Sequence, residues 1–180
     1  MTTMRRIILL LLLIPLAGPG QAGDACVRQV FGKYCLGGRF SEQLKATPTS
    51  MPPRTKGERS GVVYQSDNER IYVMAYQGVI YKVLHTFEPR TRSTLNKLRR
   101  LLQREYGLHR DYSHFPSDTH NKARQLSSVR RGDGEIRYLW QSPGQPWRVE
   151  LSWNRELGIS IAYYLNALDK QQKEAALKGL

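Results

Sequence analysis

Along residues 147–153 apolar and polar side chains alternate without a break. Trp147, Val149, Leu151 and Trp153 fall on one side, Arg148, Glu150 and Ser152 on the other. Residues 159–165 repeat the pattern with Ile159, Ile161, Tyr163 and Leu165 inward, and residues 135–140 place Ile136, Tyr138 and Trp140 on one face. A period of two predicts half-buried antiparallel strands with one wet face. Upstream, residues 61–64, 70–76 and 79–87 are rich in Val, Ile and Tyr, with Gln77-Gly78 as a two-residue hairpin connection between the last two. The period then changes. Leu95, Leu98, Leu101 and Leu102 recur at three- and four-residue spacing, Thr91 or Ser93 can cap the start, and Gly107 stands where a helix would end. A last helix is predicted over residues 167–178, capped by Asn166.

Strands, helix, strands, helix predicts one α+β domain: an antiparallel sheet of about five strands with two helices packed on one face. Residues 61–107 and 125–178 follow the same order with little identity, so an internal repeat is a reading the order alone suggests. Residues 46–60 hold Pro48, Pro52 and Pro53 among Thr, Ser, Lys, Arg and Gly, the composition of a surface loop.

The start of the chain changes the compartment. Arg5 and Arg6 precede an unbroken aliphatic run over residues 7–14, then small and helix-breaking residues from Pro15 to Gly23. That order predicts a secretory signal peptide, residues 1–22, cleaved after Ala22. The run is far short of the roughly 20 residues that span a bilayer, and Asp24 and Gly23 before Ala25-Cys26 do not suit a lipid-attachment site. The expected location is the periplasm. There Cys26 and Cys35, the chain's two cysteines, are expected to form a disulfide that staples residues 23–45, contributing roughly 2–3 kcal/mol. The folded domain then covers residues 61–180.

The whole chain carries a net charge of +13. Such an excess ordinarily points to nucleic acid, but export takes the protein away from it, so no nucleic-acid partner is expected. Lipid headgroups, acidic glycans and acidic protein surfaces are the polyanions left. Lys97, Arg99, Arg100 and Arg104 decorate the predicted helix as a candidate face for an anionic partner.

Candidate chemistry is sparse. His109, Asp111, His114, Asp118 and His120 crowd one polar stretch around Pro116. Imidazole and carboxylate are the zinc ligand set, so this loop is the alternative to a protein with no cofactor. Its spacing matches no H-E-x-x-H motif. Ser60 lacks a nucleophile elbow, and a disulfide removes both thiolates. Arg131-Gly132-Asp133 reads as a turn between strands. Tyr72, Tyr76, Tyr81, Tyr164 and Trp140 are candidates for a contact surface should one sheet face stay uncovered.

Three stretches carry a resemblance: C-V-R-Q-V-F-G-K-Y-C-L-G-G at residues 26–38, I-Y-V-M-A-Y-Q-G-V-I-Y-K-V at 71–83, and W-R-V-E-L-S-W at 147–153. With them the chain resembles small uncharacterised periplasmic proteins of Gram-negative bacteria. In size and export signal it is similar in kind to periplasmic immunity proteins and lysozyme inhibitors. No activity travels with the first resemblance; the lack of a catalytic motif and the likeness in kind give the expectation of a non-enzymatic periplasmic binding protein, an inhibitor or immunity protein acting on an exported or invading enzyme. The alternatives are a metal-binding protein or metal-dependent enzyme built on the His109–His120 loop, and an envelope-associated protein docking on anionic lipid or glycan.

Overall fold

A computed structural model describes residues 26–49, 51–66, 68–117, 119 and 121–178. The predicted signal peptide and its cleavage point lie outside the described residues. The chain opens with β1 (Arg28–Val30), β2 (Tyr34–Leu36) and α1 (Phe40–Ala46), followed by β3 (Arg54–Lys56), β4 (Arg59–Ser66), β5 (Glu69–Tyr76) and β6 (Val79–Phe87). Next come α2 (Arg92–Tyr106), β7 (Arg110–Asp111) and α3 (Lys122–Arg131). The last elements are β8 (Ile136–Trp140), β9 (Trp147–Asn154), β10 (Gly158–Leu165) and α4 (Asn166–Lys178).

Eight strands form one antiparallel sheet in the order β3-β4-β5-β6-β10-β9-β8-β7, and β1-β2 make a separate ribbon. This corrects the expectation of about five strands and two helices on one face: the sheet has eight, and there are four helices among the described residues. The strands that were missed are short and polar. Arg54–Lys56 is wholly exposed and Arg110–Asp111 likewise. Edge strands bury no side chain, so they carry no alternation to read.

Cross-strand partners share a face, and the register sorts the side chains. Val73, Val83, Ile161, Ile159, Leu151, Val149 and Trp153 lie on the inner face and are buried in one cluster. Leu95 and Leu102 of α2, Val129 of α3, Phe40 of α1 and the ribbon's Tyr34 and Leu36 pack onto it. Each large apolar side chain so buried stabilises by roughly 1.5–3 kcal/mol. Leu101 breaks the predicted stripe and stands 43% exposed. On a helix of 3.6 residues per turn it falls beside Lys97 and Arg104, off the side that Leu95 and Leu102 share.

Several turn signals hold. Gln77 and Gly78 both take positive φ (50° and 78°) in the β5–β6 hairpin. The Thr91 hydroxyl accepts the Thr94 amide at 3.2 Å, making Thr91 the cap of α2, and Gly107 ends it at φ 80°. Gly132 is the left-handed C-cap of α3, so Arg131-Gly132-Asp133 is a helix end. Asn166 does not cap: it is the first residue of α4, and its side-chain oxygen accepts from Arg148 at 3.0 Å.

The N-terminal segment and the proline-rich stretch belong to the same body. The Gly37 amide donates to the Ile80 carbonyl and the Ile80 amide to Gly38, joining the end of β2 to β6. Within residues 46–60 lie β3 and the start of β4, so that stretch is not all loop. Cys26 and Cys35 are disulfide-bonded, with Cα atoms 5.4 Å apart. Replacing both with Ala is expected to lower unfolding free energy by about 2 kcal/mol, the low end for a small ring already held by ribbon hydrogen bonds. Urea titration of the variant against the oxidised protein measures it, and equal midpoints would refute it.

Candidate functional site

Three rows of cross-strand neighbours make up the outer face. One runs Val63–Tyr72–Leu84–Ala162–Glu150–Leu139–Arg110 across β4 to β7. Beside it Thr86, Ser160, Ser152 and Arg137 form a second row, continued on β5 by Arg70, whose amide donates to the Thr86 hydroxyl at 3.0 Å. The third is Arg54–Gly61–Met74–Lys82–Tyr164–Arg148. The expected single wet face is corrected here, because every residue of β10 is buried. Ser160 and Ala162 are small and sink beneath their neighbours, while Leu84, Tyr164, Tyr72 and Leu157 form a second, minor apolar cluster.

The end of this face that carries Tyr164 is covered by α4. Asp169, 4% exposed, accepts from Arg148 at 2.6 Å and from Lys173 at 2.8 Å. The Arg148 guanidinium lies 4.3 Å from the Tyr164 ring centroid and the Lys82 ammonium 4.8 Å from it. Burial alone would raise the Asp169 carboxyl; the hydrogen bonds from Lys173 and Arg148 outweigh it and hold it below the usual range. Burial also pushes the Glu150 carboxyl up, against the pull of Arg137 and Lys82, and pushes the Lys82 ammonium down, against the pull of Glu150 and Asp169. The strip is therefore desolvated and rich in cations. No other described element crosses the rest of the face, where Arg70 and Arg110 are exposed and Tyr72, Leu139 and Arg137 half-exposed.

The predicted loop cluster is not assembled. The His109 ring packs edge-on to Tyr138 and over Trp140, and its Nδ1 is buried without a partner. Burial, then Arg99, lower its affinity for a proton. The Asp111 carboxylate accepts the Ser113 amide at 2.8 Å. His114 is exposed, 3.9 Å from Glu135. Asp118 and His120 lie outside the described residues. Among the described residues no group of three or more His, Cys, Asp or Glu side chains is close enough to hold a metal ion.

The basic helix residues also separate. Lys97, Arg100 and Arg104 are exposed, whereas Arg99 is half-buried with its guanidinium 5.4 Å from the Tyr138 ring centroid. Of the aromatic candidates, Tyr72 and Tyr164 lie on the outer face. Trp140 is core, donating its ring N–H to the Gly107 carbonyl at 3.0 Å. Tyr76 is buried and donates to Glu58 at 2.8 Å, and Tyr81 is buried near Asp169.

Sequence reasoning missed that Arg54, Arg70, Arg110, Arg137 and Arg148 come from five strands onto one face. The signal available was the polar half of each alternation, which names outward residues without saying which of them meet. In comparisons with known proteins, no family model and no curated protein matches the chain. A cysteine-rich secretory protein from Staphylococcus aureus is a similar solved structure, with a TM-score of 0.42 and 10% identity over 83% of this chain and 49% of that one. This chain thus spans about half the length of that protein.

Proposed function

We propose that this is an exported, non-enzymatic binding protein that docks an acidic partner protein on the outer face of its sheet, in the manner of a periplasmic inhibitor or immunity protein. One observation carries the reading: the open part of the outer face carries Arg54 and Arg70 near the half-exposed Tyr72 at one end and Arg110 and Arg137 at the other, with no helix over either group. Arg and Tyr are the residues that anchor protein interfaces.

The test is retention of a periplasmic protein on immobilised mature chain, followed by the same measurement on variants. Arg110→Glu/Arg137→Glu is expected to slow association at least about tenfold, with the wild-type rate falling as salt rises. Lys97→Glu/Arg100→Glu/Arg104→Glu on α2 should leave binding unchanged. Failure of the wild type to retain any partner would overturn the reading. So would binding that depends on the α2 triple substitution and ignores the sheet pair, the pattern expected of docking on anionic lipid or glycan.

A further inference from the structure

Gly61 stands in the interior of β4, paired with Arg54 on one side and Met74 on the other. Its backbone is not in the left-handed region, and a Cβ there would meet only the Val73 carbonyl oxygen, at 3.6 Å. Neither conformation nor packing requires glycine, and glycine weakens a strand interior. What its missing side chain does is open the floor of a cleft of about 800 Å³ on the outer face. Met51, Val63, Tyr72 and Met74 make the apolar walls, and Arg54, Lys56, Arg59 and Arg70 stand around them. Among the described residues no acidic side chain lines the cleft, and none of those four cations is held in an ion pair.

We propose that this cleft takes an apolar side chain of the partner, flanked on the partner's own chain by carboxylates. The inference rests on the reading that the outer face docks a protein, and names what that partner must present. Apolar walls exclude a purely anionic ligand such as a sulfated glycan from making use of the floor, and an unpaired cationic rim selects negative charge next to the apolar group. The cations stand on both flanks, Arg54, Lys56 and Arg59 on β3–β4 and Arg70 at the start of β5. Negative charge is therefore wanted at more than one point, which a peptide with acids on each side of its anchor supplies and a single-headed amphiphile does not.

Gly61→Val is the decisive variant, because it fills the floor with a residue that strands prefer. The probe is the capped peptide Glu-Asp-Phe-Asp-Glu, titrated into isotope-labelled mature protein while backbone amide shifts are followed. Saturable shifts at Val63, Tyr72 and Met74 are expected. In Gly61→Val, with its melting temperature unchanged or raised, affinity should fall at least about tenfold, and replacing the peptide's Phe by Ala should weaken binding of the wild type equally. That second arm needs no protein variant, so a misfolded Gly61→Val leaves the proposal exposed to refutation. Equal affinity of the Phe and Ala peptides, or no peptide binding while laurate binds in the cleft, overturns it. Should Gly61→Val still retain the periplasmic partner at full strength, the cleft is not the anchor site while the docking face stands. If the wild type retains no partner at all, it is the docking reading that fails.

Discussion

Asp169→Ala is expected to cost the fold about 4 kcal/mol, because it strands the half-buried Arg148 guanidinium beneath α4 without a counter-charge. Asp169 is the joint between α4 and the outer face: its carboxylate takes Arg148 from β9 at 2.6 Å and Lys173 from its own helix at 2.8 Å. Asp169→Asn keeps the shape and some of the hydrogen bonding, so a loss of about 2 kcal/mol is expected there. The pH dependence has a definite sign. A carboxyl held below its unfolded value contributes fully above about pH 4, and the contribution is lost as pH falls through the lower folded value. Wild type and Asp169→Asn should therefore differ in urea midpoint at pH 7 and converge in acid, where Asp169 is itself neutral. A gap that stays constant down to pH 2 would show that the charge is not what holds α4.

Arg28→Ala is the second large effect, expected at about 3 kcal/mol. Arg28 leaves the disulfide ribbon and reaches α2, donating to Glu105 at 2.9 Å and to the Tyr106 hydroxyl at 2.6 Å. Its guanidinium lies 4.2 Å from the Trp147 ring centroid, and Tyr106 and Tyr163 share a hydrogen bond at 3.1 Å beside it. A partly desolvated cation over Trp is worth up to about 2 kcal/mol, and leaving the Tyr pair short of a donor adds about 1 kcal/mol or more. Arg28→Lys retains the charge but lacks the planar guanidinium that lies over Trp147, so it should recover less than half of the loss. Thermal unfolding of the three proteins measures this. A melting temperature for Arg28→Ala within a degree of wild type would mean the ribbon is held by its backbone bonds to β6 alone.

The two residues differ in how far the sequence announced them. Arg28 follows Cys26 in a short apolar patch, and nothing in its neighbourhood names Tyr106 or Trp147, more than seventy residues away. Asp169 sits in a helix whose polar pattern is weak, and its burial comes from a contact across to β9. By contrast, the inner faces of β8, β9 and β10 were legible residue by residue, because alternation is a local property of the pleat. The same local rule misled at β10, where the second face was read as wet. Its residues Ser160, Ala162 and Tyr164 are buried by neighbours that only the register brings alongside. The His109–His120 loop shows the converse limit: closeness along the chain did not put imidazoles together, since His109 turned inward onto Tyr138 and Trp140 while His114 stayed exposed.

The repeat reading is instructive for the same reason. The half over residues 125–178 opens within α3 rather than on a strand, so the two element orders differ, although β6 and β10 meet antiparallel at the centre of the sheet. Yet α2 packs on the inner face through Leu95 and Leu102, while α4 is tied to the outer face through Asp169 and Arg148. The two halves therefore differ in packing as well as in element order. Helix α4 presents no long apolar stripe: Leu168 packs on the main cluster, and Asn166 and Asp169 both accept from Arg148.

By itself the sequence determined the mixed α+β class, strand segments within β4, β5, β6, β8, β9 and β10 with the inner faces of the last three, the end of α2, and the pairing of the two cysteines. Each depends on periodicity, turn chemistry or simple count, all of which act over a few residues. Tertiary structure alone decided that the sheet has eight strands, that four arginines from four strands share its open face, and that Gly61 leaves a cleft there. Those follow from register, and register is settled between segments far apart in the chain, by which apolar rows can be buried together.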